Sequence, residues 1–268
     1  MSYDRERTAA FYDDYGEREW ARFEDGRHTR ASLEVHLHYL RRFVAAGDRV
    51  LDAGAGPGRF TIELGRIGAE VVVADVSAAQ LELNHQRVSA AGVERQVRDR
   101  VVADITDLSR FGDGSFDAVV CYGGPLSYVV DLADAALSEL VRVTRSGGHV
   151  LVSAMSLLGT ITHYLDVVLE LARRDGIAPM DEIVRTGFLP ERTDFGHLAM
   201  RLYRWGELQE LLSRHGEIVA AAAAGLLKTD EPAQPELRDL LVRLELDLGA
   251  EPGAIDGGEH ILAVVRKP

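Results

Sequence analysis

The chain has 268 residues, 46% hydrophobic and 27% charged, which is room for one large α/β domain with a modest addition and too apolar for disorder through its middle. Its net charge of -13 argues against a nucleic-acid partner, because phosphates are held by Lys and Arg. A single cysteine, Cys121, excludes an internal disulfide and a CxxC zinc site and suits a reducing cytoplasm, while neither the polar start MSYDRERTAAFYDDYGERE nor the apolar run at 218–227 is long enough for a signal core or a bilayer span.

In chain order, residues 4–46 read as two amphipathic helices broken near Asp25 and Gly26. From about Val50 onward, short β-branched runs alternate with helical patterns, the signature of βαβ units around a parallel sheet. The expected strands are RVLDAG (49–54), EVVVAD (70–75), DRVVAD (99–104), SFDAVVC (115–121), GHVLVSA (148–154), EIVAAAA (217–223) and HILAVVR (260–266). Helices are expected at 59–65, 78–91 after the N-cap residue Ser77, 132–144 and 205–215, with turns at DGS (113–115) and SGG (146–148). Residues 156–203 lie outside the alternation, and their first helix carries Leu157, Ile161, Leu165 and Val168 as an apolar stripe. An insertion leaving the carboxyl end of a strand falls over the ligand crevice of a doubly wound sheet. The expected class is therefore α/β, a doubly wound, seven-stranded, mostly parallel sheet. N-terminal helices at 1–46 close the site, a binding core spans 47–155, a substrate cap spans 156–203, and 204–268 complete the core. The competing use of the insertion is a homodimer interface.

The segment from Val50 to Phe60 reads as a strand, a glycine-rich turn and a helix start. Glycine lets the backbone turn sharply and approach a ligand, and the helix that follows offers free N–H groups. The next strand ends in Asp75, 21 residues after Gly54, a spacing at which a carboxylate reaches both ribose hydroxyls of an adenosine cofactor. The third strand ends in Asp104, placed to accept a hydrogen bond from an adenine amino group. Each feature alone is equally a plain turn or a helix cap; their order at three consecutive strand ends favours the cofactor. The spacing G-x-G-x-G followed by Arg59 departs from the G-x-G-x-x-G of dinucleotide-binding dehydrogenases, so an NAD(P)-dependent oxidoreductase is the weaker alternative.

The segments DAGAGPG (52–58), VVVADVS (71–77), VVADI (101–105) and FDAVVCYGGPLSY (116–128) resemble class I S-adenosylmethionine-dependent methyltransferases over roughly residues 35–155. They are most similar to the broad small-molecule group that includes ubiquinone and menaquinone biosynthesis-type enzymes. The resemblance implies a Rossmann-like methyltransferase fold whose last strand, HILAVVR, lies antiparallel beside strand five. It implies S-adenosyl-L-methionine as cofactor and S-adenosyl-L-homocysteine as product. Gly54, Gly56 and Gly58 would flank methionine and ribose, Asp75 would bind the ribose, and Asp104 with Ile105 would frame the adenine. Cys121, Tyr122 and Gly123 would line the far side of the methionine. Tyr15, Asp52, Ala55 and Val76 complete the candidate cofactor set. CYGGPLSY stands where enzymes that methylate amino groups of DNA bases or glutamine carry an Asn/Asp-Pro-Pro-aromatic motif, which leaves an O, N or C atom of a metabolite as the target.

Methyl transfer from a sulfonium is an in-line displacement that gains most of its rate from positioning, and a base helps where the acceptor is a hydroxyl or carbon acid. His163 and Tyr128 are the candidates for base or substrate contact, with Tyr122, Tyr12, Tyr15, His28 and His36 near the expected crevice. A solvent-facing or cap-packing histidine competes with the role for His163, and core packing competes for Tyr12 and Tyr15, three apart on one helix face. His36 and His38, two apart on a helix, diverge, and no other cluster has ligand spacing, so no metal is expected. The expected partner is a small-molecule acceptor with an apolar or aromatic body, and neither nucleic acid nor membrane. A non-catalytic protein that binds S-adenosylmethionine is a further alternative, which the complete loop and both acids oppose.

Overall fold

The computed structural model describes residues 2–21, 30–192, 196–229 and 232–268. The β-branched runs form β1 (Arg49–Ala53), β2 (Glu70–Asp75), β3 (Val97–Val102), β4 (Phe116–Cys121) and β5 (Thr144–Met155). Two further pairs follow, β6 (Phe188–Leu189) with β7 (Met200–Arg201), and β8 (Glu217–Ala224) with β9 (His260–Arg266). Seven strands make one sheet in the order β3-β2-β1-β4-β5-β9-β8, with β1 to β5 parallel and β9 antiparallel to both β5 and β8. The antiparallel last strand lies where the resemblance implied. Strands covered on both faces need no polar alternation, and Val71, Val72, Val73 and Ala74 are all buried.

The helices are α1 (Arg5–Tyr15), α2 (Arg18–Ala21), α3 (Arg30–Phe43), α4 (Arg59–Ile67), α5 (Ala78–Ala90), α6 (Pro125–Tyr128), α7 (Ala133–Val143), α8 (Leu157–His163), α9 (Leu165–Asp175), α10 (Ile177–Thr186), α11 (Trp205–Ser213) and α12 (Pro235–Gly249). One face of the sheet packs on α7 and α11 through Leu137, Leu140, Leu208 and Leu212; the other packs on α3 and α4 through Val35, Leu40, Phe60 and Leu64. Ser77 caps α5 as its residue type suggests, accepting from the Gln80 amide at 3.0 Å.

Several boundaries differ from expectation. β3 ends at Val102, so Asp104 lies just past the last paired residue, in a turn bridged to Asp107. The turn expected at 146–148 is absorbed into an irregular start of β5, where the register shifts and Gly147 has φ +71°. The break expected near Asp25 and Gly26 falls outside the described residues. The apolar stripe of the insertion is interrupted at Tyr164, which leaves helical geometry between α8 and α9; Leu157 is buried while Leu165 is 48% exposed, and neither α9 nor α10 buries a residue. Helix α12 was not anticipated. It packs on α3, and its fully buried Glu245 accepts the Leu226 and Leu227 amides at 3.0 and 2.7 Å.

Candidate functional site

A pocket opens along the carboxyl edge of the sheet, just past β1, β2, β3 and β4 and beside the start of β9. Its wall begins with the glycine loop. Gly54 and Gly56 have φ +70° and +52°, a region that residues with side chains rarely adopt. A Cβ on Gly54 would stand 2.5 Å from Pro125 Cγ, whereas one on Gly56, which lines the pocket, would meet among the described residues only Glu19 Cγ at 3.8 Å. The wall at Gly56 is thus bare backbone with space in front of it.

Asp75 braces this loop. Its Oδ2 accepts the Gly56 amide at 2.8 Å and its Oδ1 the Ser77 amide at 2.9 Å. Burial pushes the carboxyl up to about 6, against the Ser77, Gly56 and Val76 amides that favour its charged form, with Glu19 nearby adding to the rise. Asp52 lies beneath the loop and outside the pocket. Burial lifts it to about 7, opposed by the Thr61 hydroxyl, which donates to it at 2.6 Å. Thr61 accepts from Asn84 at 2.9 Å, Asn84 accepts from Arg100 at 3.0 Å, and Arg100 pairs with both Glu94 oxygens at 2.7 and 2.8 Å. This relay from the surface to the underside of the loop joins residues of β1, α4, α5 and β3 and of the short 3-10 turn before β3, and carries no local sequence signal.

Asp104 is buried and fully engaged. Its Oδ1 accepts from the Thr106 amide and hydroxyl at 2.9 and 2.8 Å, and its Oδ2 accepts from the Tyr3 hydroxyl at 2.7 Å. Burial first, and then Asp104, raises the Tyr3 hydroxyl well above the usual tyrosine range. The rest of the N-terminal segment is clasped to the same edge. Asp13 accepts from the Ser77 hydroxyl at 2.5 Å and the Ala79 amide at 3.1 Å, and Gln80 donates to the Tyr12 and Gly16 carbonyls at 3.1 and 3.0 Å. The Trp20 ring lies between the guanidinium groups of Arg59 and Arg87, at 4.0 and 4.1 Å. Arg59, the residue that stands where a dinucleotide fingerprint has glycine, is therefore used to hold the N-terminal segment.

Of the residues singled out in the sequence, Gly54, Ala55, Gly56, Asp75 and Val76 line the pocket on the loop side. Asp104, Ile105, Tyr122, Gly123, Tyr128, Tyr12 and His36 line it elsewhere. Tyr15, Asp52, Gly58, Cys121 and His163 do not. Tyr15 is turned onto Phe11, 5.4 Å between rings, with Arg18 over its face. Gly58 begins α4 against Asn84, and Cys121 is buried within β4, its thiol pushed up to about 12 by burial. His163 ends α8, where its carbonyl accepts from Lys228, and no residue of 156–203 lines the pocket among the described residues. His28 lies outside the described residues.

Sequence reasoning missed Tyr3, Glu19, Gln80 and His260, which all line the pocket. His260 is there because β9 enters antiparallel, so its first residue pairs with Met155 at the carboxyl end of β5. The His260 and His36 rings are 5.7 Å apart, and His36 also meets Tyr122 at 5.0 Å and Phe60 at 5.6 Å. Among the described residues no group of three or more His, Cys, Asp or Glu could hold a metal ion, and no helix is long and apolar enough to cross a membrane. The pocket therefore offers a bare glycine backbone, two buried carboxylates and aromatic walls.

Residues 50–148 match a family model described as a methyltransferase domain. The demethylmenaquinone methyltransferase of Mycobacterium marinum is 44% identical over 113 residues, 42% of this chain and 44% of that protein, so the match spans less than half of the relative's length. Among solved structures, the Burkholderia thailandensis 1,6-didemethyltoxoflavin-N1-methyltransferase, with bound 1,6-didemethyltoxoflavin and S-adenosylhomocysteine, has a TM-score of 0.58 at 19% identity, covering 100% of this chain and 92% of that one. A chain from the complex of the Haloferax volcanii Trm112 methyltransferase activator with a methyltransferase has a TM-score of 0.63 at 19% identity, covering 97% of each. At these identities the structures share the fold, and function has to be argued from the site.

Proposed function

We propose that this chain, whose core at 50–148 is a class I S-adenosylmethionine-dependent methyltransferase domain, transfers a methyl group to a small-molecule acceptor with an aromatic body. The observation that carries the reading is the convergence of Gly56, Asp75 and Asp104 on one pocket at three successive strand ends. A bare backbone at Gly56 leaves room for the cofactor to lie against the loop. The Asp75 carboxylate would accept from the ribose hydroxyls, and Gln80 Oε1, buried and without a hydrogen-bond partner among the described residues, is a spare acceptor on the same wall. Asp104, Ile105 and Tyr3 would frame the adenine, with Tyr3 yielding or sharing its bond to Asp104. Gly54 and Gly123 would flank the methionine. The bound cofactor supplies an electrophilic methyl on a sulfonium; the protein's part is to align the acceptor with it and shed water.

Support for a small aromatic acceptor comes from the lining, which includes the rings of Phe60, Tyr12, Tyr122 and Tyr128. The quinone and toxoflavin substrates named for two similar proteins are planar rings as well. The test is calorimetry with S-adenosylhomocysteine followed by transfer of labelled methyl to a metabolite panel. Failure to bind S-adenosylhomocysteine overturns the reading.

A further inference from the structure

The part of the pocket formed by α3, the head of α4, the end of β4 and the start of β9 is built unlike the rest. Among the described residues it is lined by Ser32, His36, Phe60, Tyr122 and His260, none of them a carboxylate, and Arg59, which also lines the pocket, stacks on Trp20. His36 Nδ1 lies 3.0 Å from the Ser32 carbonyl oxygen one helical turn earlier. A carbonyl can only accept, so Nδ1 carries the proton and Nε2 is the basic atom of the neutral ring. The ring stands edge-on to Tyr122 and His260 and tilted against Phe60. The Tyr122 hydroxyl is buried on the same wall and has no hydrogen-bond partner among the described residues. A buried hydroxyl left so is costly, and a polar ligand atom would complete it. Aromatic rings on several sides fit a planar ligand. A basic imidazole nitrogen beside a phenol donor fits a hydroxyl on that ligand, and a carboxylate or phosphate is disfavoured because Arg59, the one Lys or Arg lining the pocket among the described residues, is engaged with Trp20.

We infer that this chamber holds the methyl acceptor, that the acceptor is an aromatic ring bearing a hydroxyl group, and that His36 Nε2 is the base that takes the hydroxyl proton. The inference rests on the methyltransferase reading of the same pocket. As the acceptor oxygen bonds to the methyl carbon, its proton passes to His36 and the electron pair of the breaking sulfur–carbon bond stays on sulfur. A hydroxyl and a sulfonium become a methyl ether, a thioether and an imidazolium, so the single positive charge moves from sulfur to histidine. Among the described residues, the titratable groups facing His36 are Tyr122, just past β4, and His260 on β9, with Tyr39 on α3 acting on Tyr122.

The experiment uses the full chain, S-adenosylhomocysteine in calorimetry, and labelled methyl donor with 2-naphthol, 2-naphthylamine and 2-naphthoate. Wild type is expected to bind S-adenosylhomocysteine and to methylate 2-naphthol alone. His36→Gln should bind it within about threefold, lose about 10²–10³ in kcat and lose the acid limb of its kcat/KM profile. Tyr122→Phe should raise KM about tenfold with kcat little changed. If His36→Gln fails to bind S-adenosylhomocysteine through misfolding, His36→Asn, whose amide keeps a donor near Ser32, is read by the same criteria. A variant with unchanged kcat and an intact acid limb overturns the base assignment. Binding of S-adenosylhomocysteine with methylation of the amine or carboxylate, or of none of the three, overturns the acceptor class. Absence of binding in wild type overturns the underlying methyltransferase reading instead, so the failures are distinguishable.

Discussion

In the proposed site Asp75 would combine a structural and a binding duty in one carboxylate, and its ionisation would link them. Its oxygens already accept from Gly56 and Ser77, and burial holds it up to about 6. Ribose hydroxyls donate, so they favour the charged carboxylate, and binding must compete with its protonation. Affinity for S-adenosylhomocysteine is therefore expected to be level above about pH 7 and to fall toward tenfold per unit below about 6. Calorimetry from pH 5 to 8 reads this directly, and affinity that rises on acidification would remove Asp75 from the ribose. Asp75→Ala should cost about 2–3 kcal/mol of binding, the range for hydrogen bonds to a charged acceptor, and abolish the pH dependence. Gly56 supports a companion prediction. Its added Cβ meets little protein, so Gly56→Ala should still fold, less stable by about 1–2 kcal/mol for a side chain at positive φ. The methyl would stand where the cofactor lies, and binding should weaken at least about tenfold by calorimetry. Unchanged affinity would reduce the loop to a turn.

The N-terminal helices gain their place from contacts made at a distance, by Tyr3 to Asp104, Asp13 to α5 and Trp20 to Arg59 and Arg87. A segment held so over the pocket should slow ligand exit. Trp20→Ala removes two cation–π contacts, each about 0.5–1 kcal/mol at a surface site. Dissociation of S-adenosylhomocysteine should quicken about five- to tenfold in stopped flow, with far-ultraviolet dichroism unchanged; an unaltered rate would mean the segment does not gate the pocket. The same elements show what the sequence made legible. The strands and the loop were readable because buried parallel strands are continuous apolar runs and glycine turns are local. His260 was not, since it joins the site only through the pairing of β9 between β5 and β8. His163 looked well placed because helical period alone carries the stripe from Leu157 to Val168, and period does not register the break at Tyr164. Tyr12 and Tyr15 share a helix face, yet only Tyr12 reaches Tyr128, 5.9 Å away, because Tyr15 is taken by Phe11 and Arg18. Helix α12 carries no such local signal at its anchor: Leu237, Leu240, Leu244 and Leu248 are exposed, while the charged Glu245 is the buried residue and takes its amides from the loop after β8, 18 and 19 residues earlier.

At the scale of the whole molecule, two populations of carboxylates pull stability in opposite directions with pH. Glu94, Asp117 and Glu139, paired with Arg100, Arg145 and Arg142, are held below their ordinary values. A lowered acid contributes stability above its unfolded value of about 4 and loses it as pH falls further, so these groups govern acid unfolding. Asp52, Asp75 and Glu245 are raised, chiefly by burial. A raised acid contributes stability that is complete below about 4 and lost as pH rises through its folded value, here about 7 for Asp52 and about 6 for Asp75. His149, lowered by burial, opposes them because its contribution is lost as pH falls, but it is a single, partly exposed ring. Deprotonation also deepens a net charge already at -13 near neutrality, which adds self-repulsion in the same direction as the buried acids. The melting temperature of the ligand-free protein is therefore expected to be highest near pH 5 and to decline toward pH 8 at fixed ionic strength. Asp52→Asn separates the two causes, since it removes one buried titration and leaves the surface charge nearly as it was; it should flatten the decline measurably. Saturating S-adenosylhomocysteine should flatten it too, because the ribose hydroxyls favour the ionised Asp75 that the empty pocket disfavours. A melting temperature that climbs steadily from pH 5 to 8 without ligand would show that these carboxylates do not ionise at a cost, and would undo the electrostatic account of the loop.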